Sequence, residues 1–102
     1  MAARLIVLYP PPQDTKAFER DYFGSHMPLM RRLVGSDVVL TTHRVSNATG
    51  AHQDVYRVAE IEFASMDALR TYVASDRARE GQASSEKVST GGKPTYLVCA
   101  TD

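Results

Sequence analysis

Hydrophobic and polar positions along this chain predict four strands separated by helices. Apolar or β-branched runs favour strands, and runs with apolar positions three or four residues apart favour helices. In residues 55–63 the two kinds of position alternate, which places Ala59, Ile61 and Phe63 on one strand face and glutamates on the other. The predicted strands are residues 4–9, 38–46, 55–63 and 95–100. After Arg4, residues 5–9 of the first strand form a continuous apolar run, so we expect both faces of that strand to be covered, by helices or by a partner subunit.

Two helical segments stand between these strands. The first starts after a cap at Asp14 or Thr15, and the second starts after Ser65, which can accept from the first free N–H groups. Residues 76–88 are small and polar and include Gly81, so we expect a weaker helix or a loop there.

The first helical segment contains an interruption with a titratable side chain inside it. Pro28 has no N–H to donate, and its ring disfavours helical angles at Met27. We therefore expect the helix to kink or restart between Gly24 and Pro28. His26 lies in this stretch, and an imidazole near neutral pKa can move a proton without a metal or cofactor.

The order β-α-β-β-α-β predicts an α+β fold of the ferredoxin-like class, a four-stranded antiparallel sheet with both helices on one face. Residues 1–102 are then one domain. The other sheet face would be bare and largely apolar, which predicts an interface with a second copy. Two sheets packed face to face would form a dimeric α+β barrel.

Composition excludes several classes of protein. The 102 residues carry no formal net charge, and the longest basic run is Arg31-Arg32, so the basic stripe that nucleic acid requires is missing. No polybasic membrane patch occurs, and the apolar run near the N-terminus is too short to span a membrane. Cys99 is the only cysteine, which suits a reducing compartment, and we expect a cytoplasmic protein.

The motif around the interruption resembles the EthD family of dimeric α+β barrel proteins. The match spans nearly the whole chain and rests mainly on Phe18-x-x-x-Tyr22-x-x-x-His26-x-Pro28-Leu29-x-x-x-Leu33 after a proline-rich loop. The resemblance implies a homodimer formed through the sheet face. It also implies small-molecule metabolism without a cofactor, by an isomerase, cyclase, dehydratase or monooxygenase acting on hydrophobic ring or ether-type compounds. The founding member is linked to ethyl tert-butyl ether degradation.

His26 and Tyr22 are the predicted catalytic residues. His26 would transfer a proton in a cavity between the sheet and the helices, or would only close the bend at Pro28. Tyr22 lies one helical turn before His26 and would orient it or donate to a substrate oxygen, unless it merely packs on Phe18.

Three further residues are predicted to bind substrate: Tyr9, Met30 and His43. Tyr9 ends the first strand near the expected cavity mouth, Met30 follows the interruption, and His43 faces either the cavity or an exposed edge. The three histidines have no metal-ligand spacing, and no cofactor is expected. Two alternatives stay open: a non-catalytic small-molecule-binding protein of a degradative pathway, and a haem protein with His26 or His43 as axial ligand.

Overall fold

The computed structural model describes residues 2–101, and its order of elements matches the predicted one. The first helical segment is two α-helices joined by a π-helical turn, called the π-turn below. The elements are β1 (Ala3–Tyr9), α1 (Thr15–Asp21), the π-turn (Tyr22–His26), α2 (Met27–Val34), β2 (Val39–Arg44), β3 (Arg57–Phe63), α3 (Met66–Val73), α4 (Asp76–Val88) and β4 (Thr95–Ala100). The caps at Asp14 and Ser65 form as expected.

The four strands form one antiparallel sheet in the order β2-β3-β1-β4. Side chains alternate between the two faces, and on β3 the buried set includes Ala59, Ile61 and Phe63 as predicted. The helices cover this face. The ferredoxin-like α+β prediction is therefore confirmed.

The opposite face, called the outer face below, has no helix over it. On β1 it carries Arg4, Ile6 and Leu8, which are only partly buried. Of the two covers expected for this face of β1, helices are not the one present, because α1 to α4 all pack on the other face. The other cover, a partner subunit, stays a prediction. Arg4 bridges Glu60 and Glu62 across the centre of the outer face, so that face combines apolar side chains with a central ion-paired group.

The π-turn replaces the kink expected at Pro28. Met27 donates its N–H to the carbonyl of Tyr22, five residues back, and keeps helical angles (φ −63°, ψ −43°). The expectation that Pro28 pushes Met27 out of the helix is wrong. A π-turn adds one residue to a helical turn, and the wider turn accommodates a proline that has no N–H to donate.

Gly24 lies in the π-turn but is not required by its backbone. Its φ is not positive, and a Cβ added there would contact nothing within 4 Å. We expect Gly24→Ala to raise the free energy of unfolding by roughly 0.5–1 kcal/mol, since alanine loses less conformational entropy in a helix. Urea unfolding measures this. Gly35→Ala is the matched control: Gly35 has φ +81°, so alanine there should destabilise.

Residues 76–88 form α4, a helix of 13 residues. Their polar composition left open whether they form a weaker helix or a loop, and they form a helix. Ser75 caps its first turn by accepting from the N–H of Ala78. Gly81 is buried where α4 crosses α2, and a Cβ there would lie 2.9 Å from the Met30 sulfur. The missing side chain therefore allows the two helices to approach closely.

The core beneath the sheet consists of two clusters of buried side chains. One surrounds Phe63, Leu69 and Tyr72 under the start of β1, and the other surrounds Tyr9, Phe18 and Tyr22 under its end. Within residues 2–101, no helix is both long enough and apolar enough to span a membrane.

Candidate functional site

A cavity of about 170 Å³ lies between the sheet and the helices, where the two core clusters meet. Its walls are mostly apolar and come from β1, β3, the π-turn, α2, α3 and α4. An apolar cavity of about 150 Å³ accommodates one benzene-sized ring. This cavity is therefore large enough for a single small ring compound.

The π-turn presents His26 at one end of this cavity. The side chain is 3% exposed, and both of its ring nitrogens have partners. Nε2 lies 3.2 Å from the Tyr9 hydroxyl, and Nδ1 lies 2.8 Å from the hydroxyl of Ser84 on α4. Tyr9 lines the cavity and Ser84 does not, so Nε2 is the nitrogen on the cavity side.

Burial keeps His26 neutral. It lowers the pKa of the imidazole from 6.5 to about 4, because removal from water disfavours the charged ring. Burial also raises the pKa of the Tyr9 phenol, which stays protonated at neutral pH and can donate. If Nδ1–H donates to Ser84, the Nε2 lone pair accepts from Tyr9, and the site contains both a base and a hydrogen-bond donor.

The lowered pKa of His26 makes the protein labile to acid. Between pH 6.5 and about pH 4 the unfolded chain binds a proton at His26 and the folded chain does not, so stability is complete above pH 6.5 and falls as the pH falls. We expect protonation of His26 in the unfolded chain to make the free energy of unfolding about 2 kcal/mol lower at pH 5 than at pH 7. Denaturant titrations of wild type and His26→Gln at both pH values measure it; an equal loss in both proteins would contradict the assignment.

Tyr22 does not orient His26 in the predicted way. Its ring lies beside the imidazole, with centroids 5.3 Å apart, but its hydroxyl bonds Thr42 on β2 at 2.8 Å. Tyr22 also stacks on Phe18, which is the packing role that the sequence offered as the alternative. The tyrosine hydroxyl within reach of His26 is that of Tyr9, from β1.

Met30 and His43 lie on different sides of the sheet. Met30 lines the cavity beside Gly81. His43 is on the outer face, 60% exposed, with Nε2 3.4 Å from Glu60. The interpretation of His43 as a cavity residue is wrong, because the alternation along β2 turns Thr42 towards the helices and therefore His43 away from them.

Little in the sequence indicates the part that α4 takes in the site. Ser84 contacts His26, and the Ser85 hydroxyl bonds the hydroxyl of Tyr96 on β4. Gly81, Ser85 and Val88 are the buried residues of α4, at the spacing of one helix face. That spacing is present in the sequence, but small and polar side chains do not mark a buried face as apolar ones do.

An ion pair between buried Arg57 and partly buried Glu19 supports the π-turn from the side away from the cavity. Arg57 of β3 donates to both carboxylate oxygens of Glu19, at 3.0 and 3.1 Å, and to Thr42 at 3.2 Å. Its guanidinium also lies 5.0 Å from the Tyr22 ring centroid and 4.8 Å from that of Phe23. Consecutive residues of the π-turn thus contact one fixed cation.

The haem alternative does not fit this site. Both nitrogens of His26 already have hydrogen-bond partners, His43 lies outside the cavity, and a porphyrin is several times larger than the single ring that the cavity accepts. Among residues 2–101 there is no group of three or more His, Cys, Asp or Glu side chains placed to hold a metal ion.

Several solved structures are similar to this one over nearly their whole length. An EthD family protein from Bacillus halodurans has 22% identity, 100% coverage of both chains and a TM-score of 0.85. A dimeric ferredoxin-like protein of unknown function from Jannaschia sp. CCS1 has 10% identity, 99% coverage of this chain, 100% of the other and a TM-score of 0.73.

A third similar structure is SnoaB, a cofactor-independent oxygenase from Streptomyces nogalater. The two chains share 15% identity, the match covers 99% of this chain and 92% of SnoaB, and the TM-score is 0.60. No protein-family model and no curated protein matches the sequence. At these identities the similarity establishes the fold.

Proposed function

We propose that this chain is an EthD-type protein that binds a small carbonyl-bearing ring compound and removes a proton from it without a cofactor. The observation that carries the proposal is the buried, neutral His26 at the end of an apolar cavity, with the Tyr9 hydroxyl 3.2 Å from its cavity-side nitrogen. A base and a hydroxyl donor placed together are what proton abstraction next to a carbonyl requires.

The proposed step uses only groups of this chain. The substrate oxygen takes the place of His26 Nε2 as the acceptor for the Tyr9 hydroxyl. Nε2 then takes the proton from the carbon next to the carbonyl. The electron pair of that C–H bond forms a carbon–carbon double bond, and the π pair of the carbonyl moves onto the oxygen to give an enolate. The Tyr9 hydroxyl donates to this oxyanion. Ser84 accepts from Nδ1–H and stabilises the tautomer in which Nε2 is the base.

The similar structures support this proposal by analogy. One is named for the EthD family, and another is described as an oxygenase that needs no cofactor. An enzyme of that kind must activate its substrate with its own side chains, and His26 with Tyr9 supplies a suitable pair. Small-molecule metabolism is therefore the general function that we propose, with a single-ring compound as substrate because of the cavity volume.

We further propose a homodimer formed through the outer face. Leu97 is 42% and Val39 60% exposed there, and Ile6 and Leu8 lie between them. Apolar side chains on an uncovered sheet favour burial against another sheet. One of the similar structures is described as dimeric.

Cyclohexanone in deuterated water tests the chemistry, because it fits the cavity and carries exchangeable protons next to its carbonyl. Loss of those proton signals, followed by nuclear magnetic resonance, should be faster with wild-type protein than with buffer alone. Saturation of the rate with cyclohexanone should give a binding constant that matches one from titration of the protein signals.

The same experiment distinguishes the second candidate, a non-catalytic binding protein. The observation that favours it is that both nitrogens of His26 are already hydrogen-bonded within the protein. Binding of cyclohexanone with exchange no faster than in buffer would contradict the enzyme and support the binding protein. Absence of binding would contradict both.

A further inference from the structure

We propose that His43 of each subunit takes up a proton when two outer faces come together, so that a second copy of this chain binds more tightly at pH 6 than at pH 8. This inference rests on one part of the proposed function, the homodimer formed through the outer face. It adds which side chains of that face decide how strongly the two copies bind.

The outer face carries a group of charged and titratable side chains, called the central cluster below: Arg4, His43, Glu60 and Glu62. The Arg4 guanidinium lies 3.3 Å from one carboxylate oxygen of Glu60 and 3.0 Å from one of Glu62. His43 Nε2 lies 3.4 Å from the other carboxylate oxygen of Glu60. One guanidinium thus faces two carboxylates. With a neutral imidazole, the central cluster carries one negative charge in excess.

The rest of the outer face supplies no charge that could balance this excess. By strand alternation and register, the other side chains of the four strands on this face are Ile6, Leu8, Val39, Thr41, Val58, Thr95, Leu97 and Cys99. Cys99 lies opposite Arg4 and is the remaining titratable group among them. No helix packs on this face, so only the strands present groups to His43.

A second sheet on this face would remove water from the central cluster. Three of its members have an apolar residue directly opposite them on the neighbouring strand: Ile6 for Glu60, Val58 for His43 and Val39 for Glu62. Those apolar side chains would pack against the partner and enclose the charges. A two-fold interface brings the same patch of both subunits together, so two excess negative charges would be buried in one interface.

Protonation of His43 removes this excess. Burial of an unbalanced charge costs free energy, and a cationic partner reduces that cost. Of the side-chain types in the central cluster, imidazole is the one that ordinarily changes charge between pH 5 and 8. A proton on His43 gives Glu60 its own cation and balances two cations against two carboxylates. A proton that binds the dimer more tightly than the monomer must, by linkage, strengthen the dimer as the pH falls.

Sedimentation equilibrium at pH 8 and pH 6 measures the dissociation constant of the dimer. We expect the constant to be about tenfold lower at pH 6, within the usual range for coupling between two bound partners, here a proton and a second copy. In His43→Gln it should be the same at both pH values and close to the wild-type value at pH 8. His52→Gln is the matched control, because that histidine is 86% exposed in the segment between β2 and β3 and should leave the change intact.

Glu60→Gln tests the sign of the effect. This substitution removes the excess negative charge without a proton, so the dimer at pH 8 should be about as tight as that of the wild type at pH 6. The pH should then change the constant little. A Glu60→Gln dimer that is weaker than the wild type and keeps the full response to pH would contradict charge imbalance as the cause.

The outcomes separate this inference from the homodimer itself. A wild-type dimer with equal constants at both pH values, or a His43→Gln dimer with the full change, would overturn the proton uptake and leave the homodimer intact. A protein that is monomeric at both pH values would overturn both. Circular dichroism should show folded subunits throughout, since acid also acts on buried His26.

A dimer too tight to dissociate on dilution is measured by subunit exchange between isotope-labelled and unlabelled protein, followed by native mass spectrometry. Because differences in affinity between related complexes lie mostly in the dissociation rate, exchange should be about tenfold slower at pH 6 than at pH 8. Equal exchange rates at the two pH values would overturn the inference.

Discussion

Exchange of the protons next to the carbonyl of cyclohexanone is expected to slow by a factor of about 10² to 10⁴ when His26 is replaced by alanine. The reason is that no other base among the described residues adjoins the Tyr9 hydroxyl in the cavity. Added imidazole should restore part of the rate, since alanine leaves space for a small base.

Because burial lowers the pKa of His26 to about 4, the wild-type rate should stay level from pH 8 to about pH 5.

His52→Ala is the matched control, since that histidine is 86% exposed in the segment between β2 and β3, away from the cavity. It should keep the wild-type rate. Circular dichroism of His26→Ala should remain that of the wild type, so that a lost rate reports chemistry. An unchanged rate in a folded His26→Ala protein would show that the histidine only joins the π-turn to α4.

Removal of the Glu19 carboxylate is expected to lower the free energy of unfolding by about 2 kcal/mol, since the Arg57 side chain is buried but that of Glu19 is 27% exposed. Glu19→Ala would leave the Arg57 guanidinium buried, with its side chain 6% exposed, and without its anionic partner. The Nε atom of Arg57 already lacks a hydrogen-bond partner, so the site has little capacity to compensate. Since small domains are stable by only about 5–15 kcal/mol, urea unfolding should detect this loss clearly.

Asp21→Ala provides the comparison, because Asp21 pairs with Arg20 at the surface, where the two side chains are 50% and 73% exposed. Its loss should cost less than about 1 kcal/mol. The double variant Glu19→Leu with Arg57→Met should recover much of the stability, because it removes both charges together. A cost for Glu19→Ala no larger than that for Asp21→Ala would contradict a supporting role for the pair of Glu19 and Arg57.

Much of the fold could be predicted from local patterns. The apolar run ending at Tyr9, the alternation through Phe63 and the cap at Ser65 each depend on neighbours in sequence, and each agrees with the structure. The β-α-β-β-α-β order then left few arrangements of the sheet. The form of the helix interruption was less predictable, because proline excludes an ordinary hydrogen bond but does not decide between a break and a π-turn.

The candidate site was predicted only in part. His26 can be identified from the local sequence alone, because it lies at an interrupted helix and within the EthD-like motif. Tyr9 was predicted to bind substrate and lines the cavity, but its hydrogen bond to His26 and the part of Ser84 could not be predicted, since they are 17 and 58 residues from His26 and meet it only through packing. The same holds for Arg57 with Glu19, which are 38 residues apart.

The sequence by itself determined the elements, their order and the presence of a histidine at an interrupted helix, because backbone preferences and apolar periodicity act over a few residues. Only the tertiary structure decided which side of the sheet each polar group occupies. It turned His43 outward and brought Tyr9 to His26. Those outcomes depend on the register of the sheet strands and on how closely α4 approaches α2. Both are set by contacts between segments that are distant in sequence.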